Sequence, residues 1–199
     1  MSITVFEHGT AKVIIPATPY RVRCNCAAMV GQFTIGSAED GALKGREAEL
    51  VIVKTIALHG DLGQTKNASW LQVWFIPVSG QLPKNLLMVT HIKSQSADNL
   101  GRLETEFTIE GQDLNQSIFK AEFVKKTGTY GEYWAIRWLH RLPQTDEERD
   151  LLEAAAILRD NLPLFDAETT RNMQLVSNEV KLSLPETANS KALKSSKQK

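Results

Sequence analysis

The stretch that decides the fold is IFKAEFVKKTGTYGEYWAIRWLHR, residues 118–141, in which two alternating segments flank a turn containing glycine. Apolar and polar residues alternate with a period of two, which is typical of β-strands, so the stretch predicts a hairpin. A four-residue spacing places Trp134 and Trp138 on one face of the second strand. The opposite face carries an aromatic and basic set, Tyr133, Arg137 and Arg141.

The same alternation dominates the chain up to residue 141, so the body is predicted to be mainly β. Ser69–Val78 is apolar on both faces and is predicted to be a central strand. It carries Trp70 and Trp74, and we expect Trp134 and Trp138 to join the same core. The remaining candidate strands are Ala11–Ile15, Arg21–Ile35 with a break near Gly31, Glu47–Leu58, Asn85–Lys93, Ile118–Lys126 and Glu132–Arg141.

One short helix is predicted between Lys93 and Ile118, because three apolar residues recur there at spacings of three and four. These residues are Leu100, Leu103 and Phe107. Ser96 or Asp98 could cap the helix. A β-rich body with a single helix inserted late in the chain order is compatible with a small OB-like Greek-key barrel.

A second helix is predicted after Pro143, where the pattern changes abruptly. Thr145 is a good N-cap with Glu148 three residues later, and the helix is amphipathic. Its apolar stripe is Leu151, Leu152, Ala155 and Leu158. The predicted organisation is therefore a β-barrel domain over residues 1–143, a C-terminal helix over 144–162 and a largely disordered tail over 163–199.

Charge and composition restrict the function. The 199 residues hold 23 basic and 23 acidic side chains, so the formal net charge is zero. Any nucleic-acid binding must then depend on stacking and a local basic patch, and it should be weak or strongly salt-dependent. No apolar run is long enough for a membrane helix and no signal peptide is visible, so we expect a cytoplasmic protein without membrane contact.

Motifs of catalysis are absent from the sequence: it has no phosphate-binding GxxxxGK[ST], no GxGxxG, no HExxH and no GxSxG. Cys24 and Cys26 are the only cysteines, and the four histidines show no ligand spacing around them. We interpret the two thiols as small buried apolar groups. The prediction is a non-enzymatic protein without metal or cofactor.

The candidate binding residues form a basic and aromatic finger along the hairpin, in which rings would stack on bases and cations would follow phosphates. They are Tyr130, Tyr133, Arg137, Arg141, Lys125 and Lys126. His91 and Lys93 could extend the same groove. The alternatives are a solvated sheet face with an ordinary aromatic turn and, for His91, a hydrogen bond at the sheet margin.

The succession WLQVWFIPVSG, PKNLLMVTHIKSQSADNLGRL and IFKAEFVKKTGTYGEYWAIRW resembles the OB-fold single-stranded DNA-binding proteins of bacteria, phages and plasmids. The likeness is one of layout over residues 46–141: a tryptophan-bearing central strand, a helix after a Thr-x-x-Lys strand, and a final aromatic hairpin. The layout is also similar to that of small uncharacterised cyanobacterial proteins. This resemblance implies an OB-like barrel that binds single-stranded nucleic acid, DNA in preference to RNA.

Two functions are carried forward. The first is a non-enzymatic protein that binds single-stranded nucleic acid with little sequence preference. The second is a β-rich structural or protein-interaction module of a mobile-element or phage-type assembly, in which the aromatic face and the helix after Thr145 support a homo-oligomer.

Overall fold

The predicted alternation of strands is present in the computed structural model, which describes residues 3–27, 30–36, 41–129 and 131–176. The described strands are β1 (Ile3–His8), β2 (Ala11–Pro16), β3 (Tyr20–Asn25), β4 (Gln32–Ile35), β5 (Ala42–Leu43), β6 (Glu47–Leu62), β7 (Thr65–Gly80), β8 (Met88–Lys93), β9 (Ile118–Gly128), β10 (Gly131–Arg141) and β11 (Met173–Leu175). The helices are α1 (Ser94–Ile109) and α2 (Asp146–Asn161), with a 3₁₀ turn at Leu114–Gln116. The prediction of a mainly β protein with two helices is confirmed.

One large sheet organises the molecule, in the order β10-β9-β6-β7-β8-β3-β4-β5. Its pairs are antiparallel except for β3 with β8, and β11 adds to β6 outside this path. The sheet curls into a half-barrel. Strands far apart in the order therefore meet: the rings of Phe33 on β4 and Phe123 on β9 lie 5.0 Å apart at 83°.

Each face of the sheet carries its own core. The inner core lies within the curl and is covered by α1 through Leu100 and Phe107. The outer core lies on the other face, where α2 and the separate β1–β2 hairpin cover it. The apolar faces of both helices are thus used in packing, as amphipathic helices require.

The two tryptophan pairs do not share a core, which corrects the sequence-based expectation. Trp138 belongs to the inner core and Trp134 packs against it, whereas Trp74 belongs to the outer core. The reason is that β7 is buried on both faces, with Val73 and Phe75 turned inward. A strand that is apolar on both sides gives no sequence signal for which face will meet another strand's tryptophans.

The helix caps were predicted with mixed success. Thr145 caps α2 as expected, with its Oγ1 accepting from the Glu148 N–H at 3.1 Å. At α1 the N-cap position is Lys93, which makes no side-chain capping bond. Ser96 lies inside the helix instead, and its Oγ accepts from the Ile136 N–H at 3.0 Å. Contact with β10 therefore takes the hydroxyl that local capping would have used.

The segment that follows α2 is described as far as Val176 and packs on the sheet, within the region that the sequence predicted to be a largely disordered tail from residue 163. Leu164 packs in the outer core, and the fully buried Asp166 side chain accepts two bonds of 2.8 Å from Arg21. The sequence did not indicate this packing, because the segment has few apolar residues and is held by a buried ion pair rather than by a hydrophobic stripe. Residues 177–199 lie outside the described part of the chain.

A close approach at Gly31 holds the curl closed. Gly31 has φ +56°, and a Cβ there would overlap the Trp134 ring. The backbone N–H of Trp134 donates to the Cys26 carbonyl at 3.1 Å. This bond joins the start of β10 to the end of β3. Only glycine allows both the left-handed backbone and this contact.

Gly31→Ala should destabilise the protein more than Gly63→Ala. Gly63 has nearly the same backbone, φ +59°, but nothing lies within 4 Å of the position of a Cβ. The left-handed conformation should cost about 1–2 kcal/mol in both variants, and overlap with Trp134 should add about 2 kcal/mol in the first. Urea unfolding measures both, and equal losses of stability would contradict the proposed closure.

Candidate nucleic-acid interface

A cleft opens beside the contact between Gly31 and Trp134. It lies between β7 at Trp70, the end of β8, the end of β3, the first turn of α1 and the start of β10. Its volume is about 400 Å³ and its lining is predominantly apolar and aromatic. The lining residues are Cys24, Cys26, Ala27, Trp70, His91, Ile92, Lys93, Ser94, Gln95, Ser96, Tyr133, Trp134 and Ala135. Concave apolar sites with a few polar groups are the usual form of a ligand site.

Three aromatic side chains form its walls. Trp70 is half-buried, and the Lys93 ammonium lies 5.2 Å from the centre of its ring. Trp134 packs between Gly31 and the Arg46 guanidinium, which lies 4.6 Å from its ring. Each cation sits over a ring face, where the attraction of the π system for positive charge favours it.

Tyr133 closes the cleft from the β10 side. Its hydroxyl donates to Gln95 Oε1 at 2.8 Å, which links the hairpin to the first turn of α1. The side chain is still 37% exposed. A ring held at its tip and open on its surface is a preformed stacking platform.

The described lining of the cleft contains one cation, Lys93, and no carboxylate. Lys93 supplies one cation and donates to Thr65 Oγ1 at 2.8 Å. Lys126 pairs directly with Tyr133 across the hairpin, is exposed, and has no ion pair with a described residue. Local charge therefore favours an anionic ligand although the whole chain is neutral.

His91 does not contribute a cation. Burial lowers the pKa of its imidazole to about 4. The Gln72 amide is oriented by two donors to its oxygen, Trp74 Nε1 at 2.8 Å and the Asp166 N–H at 3.2 Å. The Gln72 amide nitrogen then donates to His91 Nε2 at 3.0 Å. Because His91 Nε2 accepts this bond, it carries no proton. His91 is thus hydrogen-bonded within the sheet and at the same time lines the cleft.

The outer face of the β9–β10 hairpin has the predicted composition but little free charge. Arg137 binds Glu122 there at 2.6 Å. On the opposite face of the hairpin, Lys125 lies across from Trp134 and binds Glu132 at 2.5 Å. Arg141 is enclosed by two carboxylates, Glu49 at 3.0 Å and Glu148 at 2.7 Å. Its bonds to Glu148 lower the pKa of that carboxyl to about 2. These three cations are therefore paired with carboxylates of the same chain.

The structure thus divides the predicted set. It brings Tyr133, Lys126, Lys93 and His91 together around the cleft, and it leaves Arg137, Lys125 and Arg141 in ion pairs. Tyr130 lies outside the described residues. Trp70 and Trp134 were assigned to the core by sequence. Both line the cleft, and Trp134 also packs against the inner core. The sequence did not indicate the cleft, because only the closure of the sheet brings β7 and β10 near each other.

The two cysteines also line the cleft, and both are free thiols. Burial raises the pKa of Cys24 to about 12, and burial likewise raises the pKa of Cys26. At neutral pH they are thiols that contribute apolar surface rather than nucleophilic thiolates. Among the described residues no group of three or more His, Cys, Asp or Glu side chains could hold a metal ion.

Comparison with known proteins gives no match to a family model, to a curated protein or to a solved structure. None of the helices in the described part of the chain is both long and apolar enough to cross a membrane.

Arg141→Gln should lower the free energy of unfolding by about 1–3 kcal/mol, because Glu49 and Glu148 would then face each other without a cation. Arg137→Gln is the matched control on the same strand face. Its single exposed ion pair should change stability by no more than about 0.5 kcal/mol. Chemical denaturation at pH 7 measures both, and similar effects of the two changes would argue against a structural role for Arg141.

Stability should depend on pH through His91. The pKa is about 4 when folded and about 6.5 when unfolded, so the unfolded chain takes up the proton first. The contribution of neutral His91 is complete above pH 6.5 and is lost as the pH falls towards 4, at up to about 1.4 kcal/mol per pH unit. The difference in free energy of unfolding between wild type and His91→Gln should become smaller as the pH falls from 6.5 to 4. A difference that does not change with pH would contradict the assigned role of neutral His91.

Proposed function

We propose that the chain is a non-enzymatic single-stranded nucleic-acid-binding protein whose cleft holds unstacked bases. The observation that carries the proposal is the cleft itself, where Trp70, Tyr133 and Trp134 meet Lys93 and no described carboxylate intrudes. Single-stranded nucleic acids are bound in this way, by rings that stack on bases and by cations along the backbone. In a single strand the bases would meet the aromatic rings of the cleft, and the phosphates would meet its cations.

The strand order supports an OB-like Greek-key barrel as the framework. The path β10-β9-β6-β7-β8, with α1 inserted after β8, corresponds to strands 5-4-1-2-3 of a five-stranded barrel numbered from β6. OB barrels bind ligands on strands 2 and 3 and on the loops joining strands 1–2 and 4–5. In this chain those elements are β7, β8 and the two hairpin turns, and the cleft lies between them.

The distribution of charge supports a modest affinity governed by stacking. Lys93 and Lys126 combine a place at the cleft or on its rim with freedom from ion pairs to described residues. Each phosphate neutralised on a single strand contributes a slope of about −0.7 to the dependence of log affinity on log salt. Two such contacts give about −1.4, which is shallow for a nucleic-acid-binding protein.

Trp70→Ala should weaken binding of a fluorescently labelled oligothymidine by about 5–100-fold, since loss of one stacking ring costs about 1–3 kcal/mol. Fluorescence anisotropy at low salt measures it. Lys93→Gln should weaken binding and reduce the salt slope by about 0.7. Lys84→Gln, which removes an exposed lysine outside the described cleft lining, is the matched control and should change neither quantity.

No binding of oligothymidine or oligouridine by the folded wild type at micromolar protein and low salt would overturn the proposal. Equal effects of the Lys93 and Lys84 changes would show that any binding is diffuse and does not use the cleft.

A second candidate function has one specific observation in its favour. Ion pairs neutralise charge on the outer face of the hairpin. Leu139 on this face is 45% exposed, and Leu142, the first residue after β10, is 75% exposed. An apolar patch within paired charges suits contact with another protein. An oligomer in light scattering that Leu139→Glu dissociates, with oligothymidine binding absent, would favour this protein-interaction module.

A further inference from the structure

The edge of β6 that faces away from β7 is interrupted. β7 occupies one edge along almost the whole strand, so β9 and β11 must share the other. β9 pairs with Glu47–Val51 and β11 pairs with residues 58–60. Residues 52–57 between them have no strand partner on this edge among the described residues. This gap in the edge is called the notch below.

The notch opens into a polar cleft of about 210 Å³ between β6, α1, the 3₁₀ turn and α2. Asn115 lines it and is only 6% exposed, yet its side-chain amide makes no hydrogen bond with a described residue. Lys54 also lines it and has no ion pair with a described residue. The main-chain groups of a strand edge are normally hydrogen-bonded, so the notch presents unused main-chain donors and acceptors.

An extended polypeptide segment fits these groups, because its main chain supplies a donor and an acceptor at every residue and can add a strand to an open edge. The described chain already runs towards the notch. β11 is antiparallel to β6, with Met173 opposite Gly60 and Leu175 opposite Leu58. Beyond β11 the Val176 N–H donates to the Ala57 carbonyl at 2.9 Å. Pairing therefore points directly into the gap.

The sequence that follows Val176 matches this register. Continuing the pairing by one residue at a time sets residues 177–181, SNEVK, opposite residues 56–52. Glu179 then falls opposite Lys54, and Val180 falls opposite Val53. Opposite charges facing each other across an antiparallel pair are stabilising, and Lys54 has the charge that such a partner requires.

We propose that the notch is a strand-acceptor site and that its occupant is residues 177–181 of the same chain. These residues lie outside the described part of the structure. The proposal is independent of nucleic-acid binding: it completes the β6 edge on the side of the molecule that carries the 3₁₀ turn and α2.

Amide hydrogen exchange of the full-length protein, followed by mass spectrometry of peptides covering residues 52–57, tests it. Glu179→Lys and Lys54→Glu should each accelerate exchange of these amides about threefold to tenfold, since each sets like charges opposite each other. The double variant, which restores the pair with reversed sign, should return exchange to the wild-type rate. Val180→Pro, which removes a main-chain donor from the added strand, should accelerate exchange at least as much as either charge change.

Glu186→Lys makes the same charge change outside residues 177–181 and should leave exchange unchanged. The proposal is overturned if Glu179→Lys and Val180→Pro both leave residues 52–57 at the wild-type rate, or if the double variant is not restored. Carbodiimide cross-linking of mixed light and heavy isotope-labelled protein identifies the occupant. A Lys54–Glu179 link within one chain supports the proposal, whereas a link between chains makes a second copy the occupant and overturns it.

Discussion

The contact between Trp134 and Gly31 is the constraint on which the rest of the structure depends. The contact joins β10, at one end of the sheet, to the segment after β3. The hydrogen bond from the Trp134 backbone N–H to the Cys26 carbonyl holds the same two segments together. A curled sheet needs such a closure, because otherwise the inner core would open along one side. The closure also creates the cleft, since it brings the aromatic side chains of β7 and β10 to one place. The closure of the sheet and the proposed binding site thus share a single set of contacts.

Electrostatics separates the cleft from the rest of the final hairpin. On the outer face most cations are paired with carboxylates, and Arg141 between Glu49 and Glu148 ties β10 to both β6 and α2. Around the cleft the cations lie over rings or beside them, with no described carboxylate in the lining. A chain of zero net charge can therefore carry a local site for an anionic polymer. The affinity of such a site should come from stacking more than from counterion release.

Most strand positions, the central place of β7, the two helices and the Thr145 cap could be predicted from the sequence because each depends on local periodicity or on a short motif. The strands β1, β5 and β11 were not predicted. The composition of the hairpin faces was predictable for the same reason. The ion pairs of Arg137 and Arg141 were not, since Glu49 lies 92 residues from Arg141 in the chain and no periodicity links them. Trp70 and Trp134 could not be recognised as cleft residues because their proximity follows from the closure. Asp166 was missed because its only signal is a buried ion pair with Arg21.

The four tryptophans provide the most direct test of the central claim, that the cleft beside the closure is the nucleic-acid site. Each indole N–H gives one signal in a nitrogen–proton correlation spectrum, and the chain has four. On titration with oligothymidine we expect the Trp70 and Trp134 signals to shift, while those of Trp74 and Trp138, buried in the outer and inner cores, stay in place. Assignment by single Trp→Phe variants identifies each signal. Shifts confined to Trp74 and Trp138, or no shift at saturating oligonucleotide, would contradict the claim.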